Sequence, residues 1–151
     1  MPKILERVHN HPGDWRTTFK RTFDTLHYDM KSHTNCEYSG STCCSLVIQG
    51  RKLISANVGD SRAIIVHSSG TATQLTRDHK PDLPDENARI LGVGGRVTTS
   101  RKDPNGNEIG PKRVYLSNQD IPGLAMSRSL GDYLAHEAGV SHEPEIEEYT
   151  I

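Results

Sequence analysis

Three residues of this sequence, Asp60, His79 and Arg128, have side chains that could take part in catalysis or bind a ligand. Asp60 lies in the glycine-led turn Asn57–Arg62, where a carboxylate would be exposed and rigidly mounted. From the residues alone, Asp60 can equally be an Asx-type turn residue that accepts hydrogen bonds from nearby N–H groups, or the partner of Arg62 in an ion pair. The turn pattern favours these structural roles.

His79 and Arg128 each allow a chemical role and a structural one. An imidazole titrates near neutrality, so His79 could be a general acid, but its setting in a charged loop favours a hydrogen bond that pins the loop. Arg128 could contact a phosphate group through two hydrogen bonds, although a buried ion pair with Asp132 or Glu86 is favoured. Asp132 follows a glycine and precedes a short helical pattern, so an N-cap role explains it.

One amphipathic helix is predicted in the N-terminal segment, residues 1–38. Asp14 is a suitable N-cap, and the helix should run to about Lys31. Apolar side chains recur there at steps of three or four, namely Trp15, Phe19, Phe23, Leu26 and Met30. This stripe predicts packing against a core.

Residues 39–151 predict strands joined by short turns. Thr42–Ile48 and Leu53–Val58 flank a tight turn and indicate a β-hairpin, and Ala63–Val66 would add a third strand in an antiparallel meander. The segment 98–113 has no periodicity and indicates an exposed flap. Strands in a run, with helices around them, predict an α+β fold.

Two short helical patterns follow the predicted meander. The first begins at Pro84 and must end at the glycines between positions 92 and 95. The second covers Tyr133–Ala138 and is closed by Gly139.

Composition limits the classes of partner and compartment. A formal charge of −1, with both signs interspersed, provides no field for nucleic acid or for an anionic membrane surface, and no apolar stretch is long enough to span a bilayer. The three cysteines form no Cys-x-x-Cys, and no histidine stands at zinc-like spacing, so neither a disulfide framework nor a zinc site is indicated. We therefore expect an intracellular protein, cytoplasmic or nuclear, without nucleic-acid or membrane partners.

Several segments, taken in order, resemble the central half of a known catalytic domain. They are Ser39-Gly40-Ser41-Thr42, Ala56-Asn57-Val58-Gly59-Asp60-Ser61-Arg62-Ala63, Leu75-Thr76-Arg77-Asp78-His79-Lys80-Pro81 and Pro122-Gly123-Leu124-Ala125-Met126-Ser127-Arg128-Ser129-Leu130-Gly131-Asp132. Their order and spacing resemble the metal-dependent type 2C protein serine/threonine phosphatases from about Ser39 to Ile146. Concordant motifs in the right order are more specific than any one of them.

The resemblance implies a fold, a metal centre and site residues. It implies an antiparallel β-sandwich with flanking helices and two or three Mn²⁺ or Mg²⁺ ions, which polarise a phosphoryl group and activate a water molecule. It makes Asp60 a candidate ligand of a weakly held third ion and Asp132 a lesser metal candidate. Motif positions with a structural role would be Gly59, Ser61, Arg62, His79 and Arg128, and a basic cluster in the flap beside the substrate would be Arg101, Lys102, Lys112 and Arg113.

The sequence lacks the other acidic motifs of that family. No Asp-Gly-His-Gly-Gly, Ala-Ser-Asp-Gly or Asp-Asn occurs in it, so we expect a single partial phosphatase-like domain that binds these ions weakly or not at all. A partial sandwich would also leave sheet edges open, which could favour a homodimer or strand exchange.

Three functions follow as hypotheses. The first is metal-dependent hydrolysis of phosphoserine and phosphothreonine in phosphoprotein substrates by a parent domain of which this chain is a fragment. The second is a catalytically inactive, phosphatase-like binding or regulatory module. The third is a structural interaction domain that uses the sheet without chemistry.

Overall fold

A computed structural model describes residues 14–151, so the part of the predicted N-terminal segment before Asp14 lies outside the described residues. The helices of this range are α1 (Trp15–His33), α2 (Pro84–Gly92) and α3 (Tyr133–Glu137). The strands are β1 (Gly40–Ser41), β2 (Cys43–Gln49), β3 (Lys52–Val58), β4 (Ile64–Val66), β5 (Ala72–Gln74), β6 (Arg96–Lys102), β7 (Glu108–Tyr115), β8 (Pro122–Leu124), β9 (Leu130–Gly131) and β10 (Glu145–Thr150).

The amphipathic helix α1 forms as predicted and covers the first sheet. Asp14 caps it, since the Asp14 side chain accepts a hydrogen bond from the Thr17 backbone N–H at 3.1 Å. The helix ends at His33, slightly beyond the predicted Lys31. The apolar stripe is buried in a cluster with residues of β3, β9 and β10. The buried members of this cluster are Trp15, Phe19, Phe23, Ile54, Ala56, Val58, Leu130 and Ile146.

The first sheet has the order β10-β3-β2 and is antiparallel throughout. Its β2–β3 hairpin was predicted, but the three-stranded meander was wrong because β4 pairs with β5 instead of β3. The free edge of β3 is occupied by β10, from the far end of the sequence, with Glu145 opposite Asn57. Chain order therefore does not decide which strand neighbours β3.

The predicted irregular flap is in fact a hairpin. Strands β6 and β7 pair antiparallel over most of their length, with a bulge between Thr99 and Arg101. The turn between them is held by Asp103, whose Oδ1 accepts hydrogen bonds from the backbone N–H groups of Asn105 and Asn107 at 2.9 and 2.7 Å. Most residues near the turn are exposed, and few of them are apolar, so the strands carry no apolar alternation that could have indicated them.

A second apolar cluster lies beneath this hairpin. Strands β6, β7 and β8 form the other three-stranded sheet, and helices α2 and α3 contribute to its buried side. The buried members of this cluster are Ile90, Val114, Ala135, Ala138 and Val140. Helices packed on antiparallel sheets confirm the α+β prediction.

The outer strand β2 carries exposed apolar side chains. Leu46 and Ile48 are 45% and 64% exposed, and in the described part of the chain β2 pairs only with β3. No contact of the described residues supports the expected homodimer or strand exchange, which stays a prediction. Among the helices of residues 14–151, none has both the length and the apolar character needed to cross a bilayer.

Candidate functional site

The Asp60 turn is mounted rigidly at the end of β3. Gly59 has a φ of 101°, a conformation that favours glycine, and a Cβ at this position would lie 2.4 Å from Thr42 Cγ2. The buried Asn57 side chain donates hydrogen bonds to the carbonyls of Gly59 and Arg77, at 3.1 and 2.9 Å. Backbone and side chain together therefore fix where the next carboxylate points.

The Asp60 carboxylate is partly exposed and pairs with Lys80. The ion pair predicted with Arg62 does not form, because Arg62 makes two parallel hydrogen bonds to Asp78, at 3.0 and 2.8 Å. The Asp60 side chain is 32% exposed, so it faces solvent. Next to it, the Ser61 hydroxyl lies 2.7 Å from the Thr42 hydroxyl and connects the turn to the start of β2.

His79 pins the loop, as the sequence favoured. Its Nδ1 accepts a hydrogen bond from the Gly59 backbone N–H at 3.1 Å, so the neutral ring carries its proton on Nε2, which lies 3.0 Å from a Glu145 carboxylate oxygen. The ring is completely buried, and burial, helped by the charge on Arg128, lowers its pKa. A neutral ring with both nitrogens in hydrogen bonds within the protein is a structural residue.

A buried carboxylate at Glu86 holds two arginines. Arg128 donates to Glu86 Oε1 from Nε at 3.0 Å and from Nη2 at 2.5 Å, and Arg89 donates to Oε2 at 2.7 Å. Burial alone would raise the pKa of Glu86, but hydrogen bonds from Arg89 and Arg128 hold it well below its usual range. Arg128 therefore forms the structural ion pair, and its partner is Glu86, not Asp132.

Asp132 does not act as the predicted N-cap. It is in the left-handed conformation, with φ at 49°, and its side chain makes no capping hydrogen bond to α3. The carboxylate is buried, burial raises its pKa, and its Oδ2 has no hydrogen-bond partner. Strands β1 and β9 place it beside Ser39 and Gly40, because the Asp132 backbone N–H donates to the Ser39 carbonyl at 2.7 Å.

The four basic residues predicted in the flap do not act as one cluster, because two of them have partners of their own. Lys112 pairs with Glu108, and Arg113 donates to the Gly123 carbonyl at 2.7 Å. Arg101 and Lys102 are exposed on β6, next to the turn. Only this last pair presents its charge outward.

The described residues do not fit a dinuclear Mn²⁺ or Mg²⁺ centre. Such a centre needs several fixed carboxylates, because two divalent cations prefer oxygen ligands and must be neutralised. Within residues 14–151, the one group of three or more ionisable side chains close enough to share an ion consists of histidines: His27, His136 and His142. Asp60 and Asp132 each offer a single carboxylate, and no metal-dependent step can be derived from these residues by themselves.

Sequence reasoning missed two partners of the site. Glu145, on the last strand, accepts hydrogen bonds from His79 and from Arg77, both at 3.0 Å. Lys80 was noticed only as part of the loop, although it is the partner of Asp60. Each contact joins residues at least 20 positions apart, and charge alone does not select one partner among many.

Mixed helices and antiparallel sheets around a Gly-Asp-Ser-Arg turn define a phosphatase-like class of domain. The family model described as Protein phosphatase 2C matches residues 2–151, and the chain belongs to that family. It is 42% identical over 139 residues to Probable protein phosphatase 2C 12 of Oryza sativa subsp. japonica, an alignment that covers 88% of this chain and 34% of the relative. It is 39% identical over 138 residues to Probable protein phosphatase 2C 73 of Arabidopsis thaliana, which covers 87% and 36%.

Solved structures agree with the assignment. A C. elegans sex determining protein is 27% identical and superposes with a TM-score of 0.75, covering 99% of this chain and 34% of that one. A serine-threonine phosphatase 2C from Toxoplasma gondii shares the fold, with a TM-score of 0.70 at 23% identity, covering 90% of this chain and 45% of that one. The chain spans about a third of the length of the curated relatives it matches.

Proposed function

We propose that this chain is the part of a protein serine/threonine phosphatase domain that mounts Asp60 beside the reaction centre. The activity of the whole domain would be hydrolysis of phosphoserine and phosphothreonine in proteins with Mn²⁺ or Mg²⁺. The observation that carries the proposal is the Asp60 turn: a solvent-facing carboxylate, fixed by Asn57 and His79, in a chain of the phosphatase 2C family.

The role proposed for Asp60 is to supply one carboxylate to an ion whose other ligands come from outside residues 14–151. In the described structure Lys80 neutralises this carboxylate. An ion arriving at Asp60 would displace the Lys80 ammonium group, which is 41% exposed and can move into solvent at small cost.

The test compares this chain with the longest natural form of the protein. We expect this chain to show neither Mn²⁺-dependent release of phosphate from a phosphothreonine peptide nor tight Mn²⁺ binding by calorimetry. The longest form should be active, and Asp60→Asn should reduce that activity while leaving far-UV circular dichroism unchanged. The matched control is Asp120→Asn, because Asp120 also pairs with a basic residue but lies on the exposed loop before β8.

Activity of this chain alone that Asp60→Asn abolishes would mean that it assembles a metal site by itself or as a dimer. Full activity of the Asp60→Asn form of the longer protein would refute the role given to Asp60.

A second candidate function is a phosphatase-like module that binds phosphoproteins without hydrolysing them. The absence of a carboxylate cluster among residues 14–151 favours it. The exposed pair Arg101 and Lys102 would then be the surface that attracts a phosphate group. Fluorescence anisotropy with a labelled phosphothreonine peptide separates the two candidates: binding by this chain that Arg101→Glu weakens, without turnover by any form of the protein, would favour the binding module.

A further inference from the structure

A histidine of α1 meets two histidines that lie more than a hundred positions later in the sequence, one on α3 and one just after it. His27 lies on α1, His136 on α3, and His142 a few residues beyond. One potential ligand atom of each residue lies within 4.8 Å of the other two. The His27 and His142 rings are stacked at 4.1 Å between centroids, and the His136 ring centroid is 4.5 Å from that of His27.

Aromatic packing explains part of this arrangement. Tyr28 and Tyr133 meet the His27 ring edge-on, at centroid distances of 5.3 and 4.9 Å. Ring packing does not explain why a polar ring nitrogen is buried without a partner, however. His136 Nε2 is buried and has no hydrogen-bond partner, which is costly for a polar atom unless something binds it.

The other two rings can also offer a nitrogen. His142 Nε2 lies 3.2 Å from Asp24 Oδ1. In the neutral ring, Nε2 then donates to that carboxylate and Nδ1 keeps its lone pair. A metal-bound histidine commonly donates its second nitrogen to a carboxylate in this way. His27 Nδ1 accepts a long hydrogen bond, 3.3 Å, from the Gly131 backbone N–H. A metal on either nitrogen of His27 would end that bond, which is one cost of coordination here.

Two of the three side chains, His27 and His136, are suited to a metal in their protonation as well as their position. Burial and the neighbouring histidines lower the pKa of His27 and of His136 to about 4. These rings are therefore neutral at pH 7, and only a neutral imidazole binds a metal ion.

We propose that His27, His136 and His142 bind one Zn²⁺ ion, with water as the fourth ligand. Zinc–nitrogen bonds of about 2.0–2.1 Å in a tetrahedron place the nitrogens about 3.4 Å apart. Atoms now within 4.8 Å of one another need to approach by at most roughly 1.4 Å. The stacked His27 and His142 rings must also turn out of their parallel arrangement, because the lone pair of each nitrogen lies in the plane of its ring. The His142 side chain is 23% exposed and gives the ion a path from solvent.

The ligand type separates this site from the carboxylate chemistry around Asp60. Imidazole nitrogens favour Zn²⁺ and similar transition metals, whereas Mn²⁺ and Mg²⁺ prefer carboxylate and carbonyl oxygens. The bound ion would fasten α1 to α3 and to the segment between α3 and β10. Binding of this ion would hold these segments together, and it does not depend on the proposed phosphatase activity.

The experiment measures Zn²⁺ binding to the full chain by competition with a chromophoric chelator, and Co²⁺ binding by visible absorption. We expect one ion per chain and Co²⁺ bands typical of tetrahedral nitrogen coordination. His136→Gln and His142→Gln should each weaken Zn²⁺ binding at least about tenfold, and Asp24→Asn should weaken it by a smaller factor. The buried His27 is left unchanged, since its replacement could unfold the protein.

Two controls make the result specific. His67→Gln changes an exposed histidine on the loop after β4, outside the cluster. The double variant His9→Gln with His11→Gln removes the closely spaced histidines that precede the described residues. Both controls should retain the affinity of the unchanged chain. Unchanged binding in His136→Gln and His142→Gln, binding lost only in the His9 and His11 variant, or no binding at micromolar Zn²⁺, would each overturn the proposal.

Discussion

The Asp132 carboxylate fills the space in which a side chain at Gly40 would have to lie. A Cβ placed on Gly40 would be 2.0 Å from Asp132 Oδ2 and 2.6 Å from the Leu130 carbonyl oxygen. Strand β1 can therefore pair with β9 only because residue 40 has no side chain. This contact fixes the buried carboxylate next to Ser39-Gly40-Ser41-Thr42, the first of the segments that resemble the family.

Gly40→Ala should destabilise the protein by about 1–3 kcal/mol, because the added methyl group displaces backbone as well as a carboxylate. The free energy of unfolding in urea measures the effect. Gly92→Ala is the matched control: a Cβ there meets nothing within 4 Å, so this variant should be as stable as the original or slightly more so. Equal stability of the two variants would contradict the close contact at Gly40.

Glu86→Gln should cost about 3–5 kcal/mol, since it leaves two arginines without the buried carboxylate that compensates them. Denaturant unfolding at neutral pH measures the loss. Asp120→Asn removes the partner of Arg96, but Asp120 is 92% exposed, and the change should stay within about 0.5 kcal/mol. A similar cost for both variants would show that Glu86 has no special role.

The same carboxylate should make stability depend on acid. Hydrogen bonds from the arginines outweigh burial and depress the folded-state pKa of Glu86 below its ordinary value of 4.5. A depressed carboxylate pKa contributes stability that is fully present above the unfolded-state pKa and is lost as the pH falls below it. The stability difference between the original chain and Glu86→Gln should therefore narrow between about pH 5 and about pH 3.5. A difference that stays constant over that range would mean that folding does not shift the pKa of Glu86.

His79→Phe tests the pin beneath the Asp60 turn. Phenylalanine is similar in size but leaves the buried Gly59 N–H without an acceptor, at a cost of about 1–3 kcal/mol. Hydrogen exchange should show lost protection at the Gly59 amide. His67→Phe, at an exposed position, should change stability by less than about 0.5 kcal/mol. Unchanged protection of Gly59 in His79→Phe would remove the basis for a rigid turn.

The sequence by itself determined the features that depend on neighbours along the chain. In helix α1 the apolar residues recur every three or four positions after the Asp14 cap. The β2–β3 hairpin closes through a tight turn between two neighbouring strands. The sequence motifs around Asp60 and Arg128, taken in order, were enough to identify the family.

Only the tertiary structure decided which distant residues meet. The partner of β3 is β10, the partner of Asp60 is Lys80, and the partner of Arg128 is Glu86. The hairpin of β6 and β7 was missed because its strands have no apolar alternation to reveal them. His27 lies more than a hundred positions from His136 and His142, so no local spacing could suggest a zinc site there. Local patterns record which face of an element is buried, whereas the contacts across the core depend on how all the elements pack at once.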